Sequence, residues 1–156
     1  MSLLLLFNNP RHPRHLELVA LARQLCEEGK TDLAIVAAQT ACEVYAEVAI
    51  REMLKAHDLG EFEGVIPELL TGYSLMDRRG QRVFHALTGA NIQHSAFWAT
   101  YKSHVELRNR VVHRGDQVTA DQATDSIVVA ETFHEYVATA WESAASLARR
   151  GQPGVP

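Results

Sequence analysis

The sequence predicts an all-α protein, an antiparallel bundle of four main helices with one or two short ones, and three observations carry that expectation. Apolar residues recur at helical spacing through most of the chain, and no stretch alternates convincingly as a strand. Glycines and prolines fall at the ends of those periodic stretches rather than inside them. The composition, 47% apolar and 22% charged over 156 residues, is that of an ordinary globular domain. A domain of this size buries roughly 70% of the surface its unfolded chain exposes, so it needs no disulfide or metal to fold.

The first helix is expected from about Pro13 to Glu28, with the proline at its start and Gly29 as its stop. The second opens at Thr31 or Asp32 and runs to about His57, ahead of Gly60. Gly64 and Pro67 then break the periodicity and leave room for a short turn of helix near Glu68 to Leu70. Ser74-Leu75-Met76-Asp77 has the spacing of a capping box and opens a helix that reaches Thr88-Gly89. Another helix is expected from about Ser95 to Arg114, with Gly115 as its C-terminal stop. Thr119-Ala120-Asp121-Gln122 is a second capping box, and the last helix continues to about Arg150. Ala123, Ile127, Ala130, Phe133, Val137, Trp141 and Ala144 form its apolar stripe. Residues 1–156 thus read as one helical domain, with an N-terminal arm at 1–12 and a loose tail at 151–156.

Composition excludes several classes of function. A net charge of −4 rules out an all-over basic surface, so contact with nucleic acid must be local and sensitive to salt. Cys26 and Cys42 lie in apolar helical stretches and read as packing thiols of a reducing, cytoplasmic protein. The apolar run near Met1 has no basic start and closes at Asn8-Asn9-Pro10, too short for a signal peptide or a membrane span. It reads as an arm laid on the core or, alternatively, as an exposed arm that joins a dimer interface, and no membrane contact is expected. Eight histidines invite a metal, but His12 and His15 fall in a proline-rich arm and no Cys/His/Asp set has ligand spacing. No cofactor is expected either, since there is no glycine-rich phosphate loop and no serine nucleophile elbow. Trp98 and Trp141, on apolar stripes, read as core.

Arg108 breaks the pattern. At about 100° per residue, Tyr101, Phe97, Val112, Val105, Val111 and Trp98 fall within about 80° of it, so the arginine is centred in an apolar face. Asn109, Lys102, His113 and Glu106 gather beside that face. A guanidinium amid core positions needs a partner, because an unpaired buried charge costs several kcal/mol. Glu43 lies on the side of Gln39, Ala46, Ile50 and Leu54 and supplies the candidate: a buried Glu43–Arg108 ion pair that fixes how two helices register. Such a pair is compatible with function, since a paired arginine keeps N–H donors for a phosphate.

Arg108-Asn109-Arg110-Val111-Val112-His113, near the end of a long bundle helix, resembles the Arg-x4-6-His signature of the HEPN superfamily. The polar residue after the arginine and the alanine-rich second helix with its inward acid, Ala34 to Val44, are similar to the family's pattern. So is the ordering of Leu107 to Gly115 before a last helix that opens at Val118-Thr119. The resemblance covers roughly residues 13 to 150 and implies a toxin, stress or defence RNase that needs no metal.

In that reading Arg108 and His113 are catalytic, while Asn109, Arg110, Arg114 and Lys102 bind or orient RNA. Arg108 and His113 are roughly 140° apart on an ideal helix, and the family's solution is a homodimer with two motifs facing across a cleft. RNA, a second copy of the chain, and an antitoxin or nucleotidyltransferase are the partners implied. Where toxins paired with nucleotidyltransferases carry a tyrosine two residues after the histidine, this chain has Gly115, so nucleotide attachment there is not expected. Arg78, Arg79 and Arg82 make a second basic cluster, read as a solvated surface. Two alternatives stand beside the nuclease: a non-catalytic HEPN module that binds nucleotide, RNA or a partner enzyme, and a purely structural dimer.

Overall fold

The computed structural model describes residues 13–62, 65 and 74–151, and among these every regular element is helical. Five α-helices follow in order: α1 (Arg14–Glu27), α2 (Thr31–Ala56), α3 (Arg78–Thr88), α4 (Trp98–Arg114) and α5 (Ala120–Gly151). Short 3-10 turns at Gly60–Phe62 and Ile92–His94 join them. The expected arm at 1–12, the turn near Glu68–Leu70 and residues 152–156 lie outside the described residues.

One of the two capping boxes forms. The Gln122 backbone N–H donates to Thr119 Oγ1 at 3.2 Å, and Gln122 Oε1 accepts from the Thr119 backbone N–H at 2.9 Å, so α5 starts with reciprocal caps. The Ser74–Asp77 segment does not form a box. Asp77 is the N-cap of α3, accepting from Arg79 N–H at 2.8 Å, while Ser74 Oγ accepts from Met76 N–H inside a preceding tight turn. Packing decides the difference: Leu75 is buried in the core, and a Cβ on Gly80 would stand 2.4 Å from the Ser74 carbonyl oxygen. The turn and the first turn of α3 lie against each other through the missing side chain.

The fourth helix also starts later than its periodicity suggested, at Trp98 rather than Ser95. Buried Ile92 pins the 92–94 turn, whose carbonyl at Ile92 accepts the Ser95 hydroxyl at 2.7 Å. That bond holds Ser95 extended and postpones the helix.

The long α2 is the axis around which the others pack. It touches α1, α3, α4 and α5, and thirteen of its residues are buried. Many of them are alanines (34, 37, 38, 41, 46 and 49), which let neighbouring backbones approach closely. Half of its residues are buried, and α2 is long and apolar enough by composition to cross a membrane. Its place at the centre of the bundle accounts for that character.

The main core joins Ile50, Met53, Phe84, Ile92, Tyr101, Phe133 and Val137 from four helices and the 92–94 turn, each large apolar side chain contributing about 1.5–3 kcal/mol by burial. Tyr101 stacks on Phe133 at 4.9 Å and fixes α4 to α5. A smaller cluster of Ala34, Ile35 and Ala123, with Leu107 and Val118 against it, ties the start of α2 to the end of α4 and the start of α5. Trp141 is core, Cys42 is wholly buried, and Trp98 and Cys26 are half-buried.

Candidate functional site

Helix α4 runs antiparallel to α2. Tyr101 lies against Gln39 and Cys42, Leu107 packs at the Ile35 cluster, and Val111 shares a surface groove with Thr31 and Asp32. The helix ends at Gly115, whose φ of 69° turns the chain left-handed while its N–H bonds the Val111 carbonyl at 3.1 Å. A glycine suits that left-handed conformation. His113 and Arg114 therefore occupy the last turn, where the helix dipole favours cations.

The inward face of α4 is largely the one expected around Arg108: Phe97, Trp98, Tyr101, Val105 and Val111 are buried or half-buried, and of that set only Val112 is exposed. Tyr101 and His104 are the fully buried residues of the helix, Val105, Leu107, Arg108 and Val111 are half-buried, and Val112 is 49% exposed. Arg108 lies on that inward face, and its side chain reaches the rim of the interface, where it is 26% exposed. Full burial of the guanidinium would cost more than burying the neutral imidazole of His104.

Arg108 sits at the α2–α4 seam with its side chain 26% exposed. Its Nη2 is 3.9 Å from Glu43 Oε1, well beyond the 2.7–2.9 Å of a charge-assisted hydrogen bond, and the Glu43 side chain is 43% exposed. The pair is thus a loose, rim-exposed contact, not the buried ion pair expected from the sequence. Arg108 Nη1 donates to Asn109 Oδ1 at 3.1 Å, and Gln39 Nε2 donates to Glu43 Oε1 at 3.2 Å. The Nε of Arg108 is buried and has no acceptor.

Neither Gln39 nor His104 was marked as a site residue by the sequence reading, and both belong here. Gln39 Oε1, His104 Nδ1 and His104 Nε2 are buried without hydrogen-bond partners, so four unpaired polar atoms lie on α2 and α4 around this seam. Each such atom costs about 1–3 kcal/mol until something pairs with it. Burial, and then the charge of Arg108, push the His104 imidazole down to about 4, which leaves it neutral near pH 7. The signal available was spacing: His104 lies three residues after Tyr101 and four before Arg108, on one helical face.

His113 faces elsewhere. It is exposed and shares an open groove with Glu106, Asn109, Arg110 and Arg114. Asn109 borders both environments, touching Arg108 and lining the His113 groove. The guanidinium of Arg110 donates from Nε to Asp116 Oδ2 at 3.2 Å, just past the helix end, so it is already paired with an acid. Lys102 is exposed and does not line this groove. Within one chain, then, Arg108 and Glu43 meet at the seam, and Asn109, Arg110, His113 and Arg114 meet in the groove.

A second titratable cluster lies where α1, α2 and α5 meet. The rings of His15, Tyr45 and His134 form a triangle with centroids 4.6, 5.0 and 4.6 Å apart. His15 is therefore a buried residue of α1 rather than part of an arm. Desolvation lowers His15 to about 4. His134 is lowered to about 4 by burial and then by His15, against the opposing pull of its bond to the Ala41 carbonyl. Among the described residues no three His, Cys, Asp or Glu side chains form a metal-binding group. Comparison with family models, with curated proteins and with solved structures finds no match to this chain.

Proposed function

We propose that this chain is an endoribonuclease of the HEPN type, which cleaves RNA through its 2′-hydroxyl at a site completed by a second copy of the chain. The observation that carries the reading is the half-buried Arg108 guanidinium, loosely held by Glu43 and with no acceptor for its Nε. The Nε is enclosed, so a phosphodiester would be gripped by the N–H donors of the guanidinium's Nη groups, and a phosphorane, with its added negative charge, more strongly.

The chemistry follows from the residues of the motif. One His113 imidazole takes the proton of the 2′-hydroxyl as its oxygen bonds to phosphorus. A protonated His113 from the other copy gives its proton to the 5′-oxygen as the P–O5′ bond breaks. The products are a 2′,3′-cyclic phosphate and a 5′-hydroxyl end. Asn109, which already bonds Arg108 and lines the His113 groove, orients the phosphate between them. A single chain turns Arg108 and His113 to different surfaces, which is the argument for a two-fold dimer that sets one copy's His113 against the other's Arg108. The half-exposed Val112 lies on the side of α4 that such a partner would cover.

The test is cleavage of a single-stranded RNA with EDTA present. Wild-type protein should produce cyclic-phosphate ends, and His113→Ala should not. Equal cutting by the two proteins removes His113 from the mechanism.

The openness of the His113 groove and the engagement of Arg110 with Asp116 favour a second reading, a module of the same type that binds RNA or nucleotide without cutting it. Under that reading RNA stays intact at high protein concentration, while His113→Ala and Arg108→Ala weaken binding.

A further inference from the structure

Helix α3 carries cations at its positive end, offset in part by the carboxylate of its N-cap, Asp77. Arg78 and Arg79 fill its first two positions and Arg82 follows one turn later, and no acid stands in the first turn. Cations at the positive end of a helix are disfavoured, and two arginines at i and i+4 repel each other. Among the described residues, neither Arg78 nor Arg82 has a carboxylate within ion-pair distance. Two neighbouring exposed arginines without a carboxylate of their own are open to an external anion.

The structure gives these arginines a shaped setting. Arg78, Gln81, Arg82 and His85 of α3 line a groove whose other wall is Asn91 and Gln93, and none of the six is acidic. Hydrogen bonds fix that wall. Gln93 Nε2 donates to Gln81 Oε1 at 2.7 Å across the groove, and Asn91 Oδ1 accepts from Gln93 N–H at 3.1 Å. His85 Nδ1 lies 3.2 Å from the Ala90 carbonyl. A carbonyl only accepts, so the ring donates from Nδ1 and its Nε2 remains for another partner.

We infer that this groove is a binding site for the phosphodiester backbone of single-stranded RNA, with Arg78 and Arg82 on successive phosphates and the amide side chains of its walls on sugar and phosphate oxygens. The inference rests on the RNA reading above and adds a second point of attachment to it. The 92–94 turn packs against α4 near the start of that helix, whereas His113 lies in its last turn. The fifteen residue-to-residue steps from Trp98 to His113 rise about 23 Å, so the groove grips a strand several nucleotides away from the bond to be cut. It acts on affinity and on the minimum length of a good substrate. Positive charge placed here also explains how a chain of net charge −4 can hold a polyanion, since the contact is local.

The experiment uses the full chain carrying His113→Ala, so that bound RNA survives, and a fluorescein-labelled unstructured RNA of about 16 nucleotides, the upper end of known single-strand sites. Anisotropy titrations across a range of salt give affinity and salt slope, with and without Arg78→Gln/Arg82→Gln. Circular dichroism checks that the helices are retained. The double substitution should weaken binding about tenfold and flatten the slope of log K against log salt by about 1.4, the value for two phosphate contacts on a single strand. Arg78→Lys/Arg82→Lys should restore most of both.

Unchanged affinity and slope would overturn the groove, and the arginines would then be solvated surface. If wild-type protein cuts RNA while the double substitution changes nothing in binding, the groove fails alone and the nuclease stands. If RNA is never cut yet binding depends on Arg78 and Arg82, the nuclease fails and the groove stands. Absence of any RNA binding removes both. Binding of an acidic protein through the same arginines, with no affinity for RNA, overturns the groove as assigned.

Discussion

His15, His104 and His134 are three imidazoles from three helices, and all are kept neutral by burial. Their folded values, lowered to about 4, lie below the ordinary 6.5 of the unfolded chain. The unfolded state therefore takes up protons first as pH falls. Stability is complete above pH 6.5 and drains away as pH falls toward 4, by up to about 3 kcal/mol for His104 alone. Urea unfolding near pH 7, 6 and 5 should show a midpoint that declines with acid, and His104→Leu should reduce that decline. A midpoint level across this range would show that the imidazoles titrate normally in the folded chain. Residue identities made Arg108, Glu43 and His113 legible, because a charge on a greasy face and an Arg-x4-His spacing are properties of the string. His104 was hidden by its ambiguity: a histidine between apolar positions reads as core or as site, and only the packing of α4 on α2 shows that its nitrogens are buried and unpaired.

Between residues and fold stands the junction before α3. Gly80 lies in the first turn of that helix, and its Cα approaches the carbonyl of Ser74 so closely that an added methyl meets backbone rather than a movable side chain. Gly80→Ala should therefore destabilise the protein by about 1–3 kcal/mol despite the better helix propensity of alanine. The substitution should also loosen the Ser74–Asp77 turn, seen as faster amide exchange at Met76 and Asp77. A neutral or stabilising effect in thermal unfolding would contradict the close approach. The two capping boxes were equally good as strings. Thr119 to Gln122 became one because nothing else claims those side chains, while Ser74 to Asp77 was redirected by the burial of Leu75 and the contact with Gly80. Helix starts at Trp98 and Arg78 were missed for the same reason: a tertiary contact outranked a local signal, and such contacts have no footprint in spacing.

At the scale of the molecule, the proposed nuclease has a stoichiometric consequence. If the site needs two chains, cleavage by dilute protein should rise with the square of its concentration until the dimer is formed. Val112→Arg, placed on the exposed side of α4 beside the motif, should shift the mass seen by light scattering toward monomer and lower cleavage at the same time. Retained activity in a variant that is monomeric would refute the composite site. The helical class, the order of the helices and most of the apolar stripe of α5 were legible from periodicity, since α5 buries Ala123, Ile127, Ala130, Phe133, Val137 and Trp141 on one face. Which faces stay uncovered was not, because that depends on how α4 rolls against its neighbours.

The central position of α2 has a temporal implication for the living cell. A ribosome delivers this segment early, long before α5, whose arrival covers one of its flanks. During that interval a 26-residue span that satisfies the length and greasiness of a bilayer helix stands without its final neighbours. A nascent chain in that state exposes apolar surface open to aggregation, and premature termination before Ala120 would release a sticky fragment rather than a smaller protein.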